Sequence, residues 1–155
     1  MRQPIILSPP VVGGIRVDAA GDGHFGSPRG SRLHAGLDLL AEVGEPVKAP
    51  CEVNVLRVGQ CYANSTALNL VELAPSLSRD ARIKILYTSC IVRPGAILVQ
   101  GQVIGYAQDV AGYHGRPMKN HIHLEVDLSR GALLGRGSRP DDRVRVDPLF
   151  FLEMP

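Results

Sequence analysis

Tryptophan is absent from this 155-residue chain, and other aromatics are few: three phenylalanines and four tyrosines. A hydrophobic core must therefore be built mostly from aliphatic side chains. Long apolar runs are also absent. The stretch from Pro4 to Leu7 is far too short for a signal-peptide core, and Pro9 and Pro10 interrupt the chain just beyond it. Nothing approaches the roughly 18 apolar residues of a membrane span. We therefore expect a soluble chain with no membrane span and no ordinary export address. Neither sign of charge dominates: seventeen Lys and Arg face fifteen Asp and Glu, a net +2, too little to argue for nucleic acid. Arginines do gather at Arg29 and Arg32 and again from Arg130 to Arg145. Because Asp141, Asp142 and Asp147 interleave with them, a solvated surface is expected, with a basic patch for an anionic polymer as the alternative.

Cysteine is scarce. Cys51, Cys61 and Cys90 form no CxxC pair, which excludes an ordinary thiolate zinc site. An odd number leaves at least one thiol free in a monomer. Reduced core thiols are expected, with a Cys51–Cys61 hairpin bridge as the alternative.

Turn formers are plentiful, with seventeen glycines and twelve prolines, and they point to short strands rather than long helices. Period-two alternation supports this. Odd positions are apolar from Cys51 to Val55, and Ile83, Ile85 and Tyr87 share a face while Arg82 and Lys84 point away. Ala67 to Leu73 is strand-like, with a phase slip at Leu70–Val71 that reads as a bulge. Gln102 to Ala107 is a short strand weakened by Gly105, while Pro75 to Asp80 and Gly131 to Asp142 read as loops. No stretch gives an amphipathic helix of three turns. The fold class is mainly β: a small antiparallel sheet domain spanning residues 1–155, with long loops flanking a site and few or no helices.

The chemistry is concentrated in two segments. In NHIHLEVDL, from Asn120 to Leu128, Ile122, Leu124, Val126 and Leu128 form one strand face, and His121, His123, Glu125 and Asp127 the other. Residues two apart on a strand are about 7 Å apart at Cα and project the same way. One imidazole can thus bind a metal with the other beside it, although a polar solvent face has the same pattern. The second segment is His34–Ala35–Gly36–Leu37–Asp38. Positions four apart on a straight strand are about 13 Å apart, too far to share an ion. The chain must bend near Ala35–Gly36 and enter a strand near Leu37, bringing His34 over Asp38. Two histidines and one carboxylate leave the fourth tetrahedral position open, as in a catalytic rather than a structural zinc site.

At this point the sequence resembles the lysostaphin-like (LytM-like) zinc endopeptidases, which cut peptide cross-bridges in bacterial peptidoglycan. The resemblance runs from about Phe25 to Leu152. It rests on Phe25–Gly26, HAGLDLLAEVGEPVKAP (His34 to Pro50), RPGAILVQGQVIGYAQD (Arg93 to Asp109), HIHLEV (His121 to Val126) and VDPLFFL (Val146 to Leu152). It implies one zinc ion held by His34, Asp38 and His123, with His121 as an unligated catalytic histidine, in a groove between loops. The implied partner is cell-wall peptide. Because no export address is read in the chain, delivery by phage lysis or within a larger assembly such as a phage particle is one expected route.

The sequence departs from the family at one place. The family carries a further catalytic histidine in a Tyr–x–His segment, and here Tyr87–Thr88–Ser89 puts Ser89 in its position. A hydroxyl cannot carry a proton near neutral pH as imidazole does. His114, with Tyr113 beside it in the loop before HxH, is the candidate substitute; a plain surface histidine is the alternative. His24 lies near the first motif with no role assigned. A zinc-binding module that has lost turnover is therefore carried as the second reading.

Overall fold

The computed structural model describes residues 5–78, 80–115, 117–131 and 142–154. Two small hairpins come first: β1 (Val17–Asp18) with β2 (Gly21–Asp22), and β3 (Pro28–Arg29) with β4 (Arg32–Leu33). Next are β5 (Leu37–Leu40), β6 (Pro46–Lys48) and a long hairpin of β7 (Val53–Tyr62) and β8 (Ser65–Pro75). β9 (Ala81–Leu86), β10 (Thr88–Cys90), β11 (Ile97–Leu98) and β12 (Val103–Ala107) lead to a one-turn helix, α1 (Val110–His114). β13 (His121–Ser129) and β14 (Arg143–Val146) precede a closing 3-10 turn at Pro148–Phe150. The described residues are thus antiparallel β with little helix, as the turn-rich composition predicts.

A seven-stranded sheet runs in the order β11-β7-β8-β9-β13-β14, and β5 also pairs with β13. β13 is bonded to β9 along one edge. Its other edge is shared, with β5 along His121 to Leu124 and β14 along Val126 to Ser129. A second sheet has the order β10-β12-β6.

Register explains why this sheet holds both a core and a site. Val71, Ile85, Leu124 and Leu37 lie opposite one another across β8, β9, β13 and β5, and all four are fully buried. Each such side chain removed from water contributes about 1.5–3 kcal/mol. One residue along, on the other face, the row reads Leu70, Leu86, His123 and Asp38. A one-residue slip would exchange the two rows, so the aliphatic core fixes which side chains reach the site. Val47 and Ile104, from the second sheet, belong to the same core cluster.

Several local expectations change. The phase slip at Leu70–Val71 is not a bulge in β8. Both residues are buried because this strand packs on both faces, and the extra residue, Leu56, belongs to β7. Gly105 favours its strand, because a Cβ there would lie 2.0 Å from the Ser89 carbonyl oxygen. β9 stops at Leu86, where Tyr87 adopts φ 68° and turns the chain into the second sheet. The core also reaches beyond the Phe25 boundary. Leu7 and Val11 are buried, and Leu7 bridges to Leu152. The loop expected from Gly131 to Asp142 falls almost wholly outside the described residues. Cys51, Cys61 and Cys90 are all free and half-buried, so there is no Cys51–Cys61 bridge.

Candidate metal centre

Alternation on β13 sends Ile122 and Leu124 into the core and turns His121 and His123 to the opposite face. Asp38 on β5 is the direct cross-strand partner of His123. His34 belongs to no strand. The chain leaves β4, bends at Gly36 and enters β5 at Leu37, the turn that the HAGLD spacing requires. Gly36 allows that bend to pass against β13. A Cβ there would sit 2.4 Å from the Leu124 carbonyl oxygen and 2.8 Å from His123 Nε2.

Three donor atoms converge as a result. His34 Nε2 is 3.2 Å from His123 Nδ1 and 3.2 Å from Asp38 Oδ1, and His123 Nδ1 is 2.8 Å from Asp38 Oδ1. All three residues are buried. The outer contacts decide what these atoms offer. His34 Nδ1 lies 3.0 Å from the His24 carbonyl oxygen, and His123 Nε2 lies 3.1 Å from Glu125 Oε1. Donating from those two nitrogens leaves lone pairs on His34 Nε2 and His123 Nδ1, both facing the carboxylate. Three lone pairs this close repel unless a proton or a metal ion lies between them. A tetrahedral zinc with ligands at about 2.0–2.1 Å holds its donors about 3.3 Å apart, close to the spacing here. His34, Asp38 and His123 thus form a group able to hold a metal ion, with the outer carboxylate–histidine contacts that such ligands usually have.

Without an ion, protons on the same imidazoles satisfy Asp38. Burial works to raise the Asp38 pKa, but hydrogen bonding with His123 and His34 and the charge of His121 hold it well below the usual carboxylate range. Burial likewise opposes charge on His123, yet bonding to Asp38 and Glu125 raises its pKa. The second oxygen of Asp38 is held by Arg16, whose Nε and Nη2 donate at 3.3 and 3.1 Å. Arg16 is only 2% exposed and also donates from Nη1 to Asp18. Its role was not read from the sequence. The sequence pattern points the other way, since an arginine between Ile15 and Val17 would face outward, whereas Arg16 is buried and Val17 is exposed.

His121 stands beside the three ligands. Its Nδ1 donates to the Lys119 carbonyl at 2.8 Å, leaving Nε2 toward the site, 3.8 Å from Asp38 Oδ2. Burial lowers its pKa, only partly offset by Asp38, so near neutral pH it is an uncharged imidazole with an available lone pair, and it carries charge only in acid. These residues lie along a groove of about 390 Å³ that His114, Tyr62 and Tyr87 also line. His114 therefore does reach the groove, and its Nε2 is 3.1 Å from the Tyr62 hydroxyl. Tyr62 in turn is 3.3 Å from the Tyr87 hydroxyl, and the Tyr87 ring meets His121 edge-on at 5.6 Å. Tyr113 is half-exposed and stacks on Tyr62.

Ser89 is not brought to the site. It is exposed, lies opposite Tyr106 in the second sheet and does not line the groove. Alternation from Ile83 and Ile85 would put both Tyr87 and Ser89 on the core face, but the positive φ at Tyr87 turns its ring into the groove, so this segment offers the groove a phenol. His24 contributes its backbone carbonyl to His34, while its ring bonds the exposed Asp22.

Neither protein-family models nor curated protein sequences give a match to this chain. Solved structures do. The antimicrobial peptidase lysostaphin from Staphylococcus simulans aligns with a TM-score of 0.61 at 22% identity, over 84% of this chain and 48% of that one. LytU aligns with a TM-score of 0.61 at 20% identity, over 88% and 82% of the two chains. A zinc containing peptidase from Vibrio cholerae aligns with a TM-score of 0.56 at 22% identity, over 81% and 37%. The chain has the lysostaphin-like, or M23 peptidase, fold. It spans about half the length of two of the lysostaphin structures it matches. No helix among the described residues is long and apolar enough to cross a membrane.

Proposed function

We propose that this chain is a zinc-dependent endopeptidase acting on the peptide cross-bridges of bacterial peptidoglycan. The observation that carries the reading is the convergence of three lone pairs, from His34, His123 and Asp38, beside a neutral His121 in an open groove. Two structures of the same fold are described as peptidases, one of them zinc containing. The resemblance of the sequence motifs to cell-wall endopeptidases supplies the substrate class.

His34, Asp38 and His123 would hold the ion, which supplies Lewis acidity for the scissile carbonyl and lowers the pKa of water. Glu125 and the His24 carbonyl fix the two rings that would be ligands, and Arg16 holds the outer oxygen of Asp38 so that Oδ1 faces His34 and His123. His121, neutral and oriented by Lys119, accepts a proton at Nε2. Tyr87 offers the groove a hydroxyl. Burial and the Tyr62 hydroxyl raise its pKa, so it stays a donor to a substrate carbonyl oxygen.

The deciding experiment is amine release from purified, cross-linked peptidoglycan by the zinc-loaded protein. Steady release that His121→Ala lowers by about 10²-fold or more, with zinc content unchanged, is expected. Full zinc occupancy with no release from any cross-bridge type would instead support the metal-bearing binding module. The absence of Ser89, or any imidazole from its segment, in the groove favours that second reading.

A further inference from the structure

The hairpin leading into His34 carries a like-charged pair that the metal centre does not use. Arg29 of β3 and Arg32 of β4 are direct cross-strand partners, and both line the groove. Like charges placed opposite each other destabilise a hairpin. This one has two residues per strand and an exposed Leu33, so it has little packing to offset that cost. Between Pro28 and Leu33 it contains no acid.

Several other arginines among the described residues are neutralised locally, although the exposed Arg93, away from the groove, has no carboxylate partner among those residues either. Arg16, Arg57, Arg130 and Arg145 each have a carboxylate oxygen within 3.2 Å. The Arg32 side chain is exposed and has no hydrogen-bond or ion-pair partner among the described residues. Arg29 donates to the Pro28 and Asp22 carbonyls. Its nearest carboxylate oxygen is Asp38 Oδ2 at 3.8 Å, which Arg16 already bonds. The charged groove lining is three arginines against two carboxylates, Asp38 and Glu125, and a bound dication would increase that positive excess.

We propose that Arg29 and Arg32 form a carboxylate subsite, so that the groove selects a peptide bearing an ionised carboxylate close to the bond to be cut. A guanidinium presents a planar fork of donors that matches a carboxylate. An anion bound between the two would replace their repulsion with attraction. Because Arg29 lies beside Asp38, that carboxylate would sit near the reacting centre. The inference rests on the peptidase reading for the nature of the ligand, whereas the charge arrangement stands without it.

Calorimetry on the zinc-loaded chain at low ionic strength tests the subsite. The probes are acetylated, amidated tetrapeptides of Ala and Gly carrying one Glu, each paired with the same peptide carrying Gln. The Glu peptide is expected to bind about 10-fold tighter or more. Arg32→Gln, at an exposed position, and Arg29→Gln should each remove most of that preference, while Arg57→Gln keeps it. Equal binding within every pair, no binding of any peptide, or a preference that survives both groove variants overturns the proposal. So does inorganic phosphate binding as tightly as the Glu peptides, which would mark a general anion site. Cleavage is read on the same samples. A carboxylate preference leaves the subsite standing even if no cross-bridge type releases amine, and cleavage with no preference removes the subsite and leaves the peptidase reading.

Discussion

Replacing Gly36 with alanine adds a single methyl group, and the surroundings fix where its effect must fall. The new Cβ would lie 2.4 Å from the Leu124 carbonyl oxygen and 2.8–2.9 Å from His123 Nε2 and Cε1. Ordinary contact begins near 3.4 Å, so about 1 Å of relief is needed, with the strain typical of overpacking at about 1–3 kcal/mol. Leu124 cannot yield easily, since β13 is paired to β5 and β9 at that residue. The displacement falls on the His34–Asp38 bend and on the His123 ring, whose bonds to Asp38 and Glu125 are short and directional. Disturbing the orientation of a ligand imidazole costs roughly 10–100-fold in metal affinity, or about 1.4–2.7 kcal/mol. Gly36→Ala should therefore bind zinc about 10–100-fold more weakly in competition with a chromophoric chelator. Its metal-free melting temperature should fall by roughly 3–10 °C. Zinc affinity within twofold of the parent, with an unchanged metal-free melt, would refute the account of why this position is glycine.

Metal analysis of His34→Ala, Asp38→Ala and His123→Ala should show most of the zinc lost, whereas His121→Ala should retain it; equal loss in His121→Ala would reverse the roles within HxH. Glu125→Gln leaves the ring contact with a weaker acceptor, so zinc affinity should fall about 10-fold or more, measured by the same competition. A chelator should lower the melting temperature of the loaded protein by about 10 °C, because zinc at about a thousand times its Kd adds about 4 kcal/mol to the native state; an unchanged melt would separate scaffold from site. Asp38 and Glu125 both titrate below their ordinary range when folded. The unfolded chain therefore binds more protons near pH 4, and stability present above that pH is lost as pH falls through the folded values. The metal-free melting temperature should drop below about pH 4, less steeply in Asp38→Asn, and an identical acid profile in that variant would contradict it.

Much of the site could be read from alternation. NHIHLEVDL divides into a core face and a ligand face because Ile122 and Leu124 must be buried, and HAGLD cannot bring His34 over Asp38 without the bend that Gly36 permits. What could not be read depends on backbone geometry or distant chain. Tyr87 takes a positive φ although it is not glycine, so its ring enters the groove although alternation groups it with Ile83 and Ile85 on the core face. Ser89→His would leave its imidazole outside, because residue 89 is exposed in the second sheet. Tyr62 reaches His114 only because β7 and β8 form a hairpin long enough to extend beside α1, and hairpin length is set by register rather than by a motif. Arg16 and Leu7 were missed because the sequence near the N-terminus looks like a leader to the first motif, although Arg16 is locked to Asp38 and Gly23 by backbone bonds.

The three ligands do not share one mechanical footing. Asp38 and His123 face each other from paired strands deep in the sheet, where opening requires breaking the ladder and carries a large part of the global unfolding free energy. His34 sits outside any strand, tied back through its own amide and carbonyl to Ser27 and Gly26 and through its ring to His24. Those few bonds can open without disturbing the core. Exchange of an ion would thus proceed by release of one arm while two remain fixed, and its rate would follow the opening of residues 24–36 rather than the stability of the protein as a whole. A change in that loop that leaves the melting curve untouched could still alter how long the centre keeps its metal.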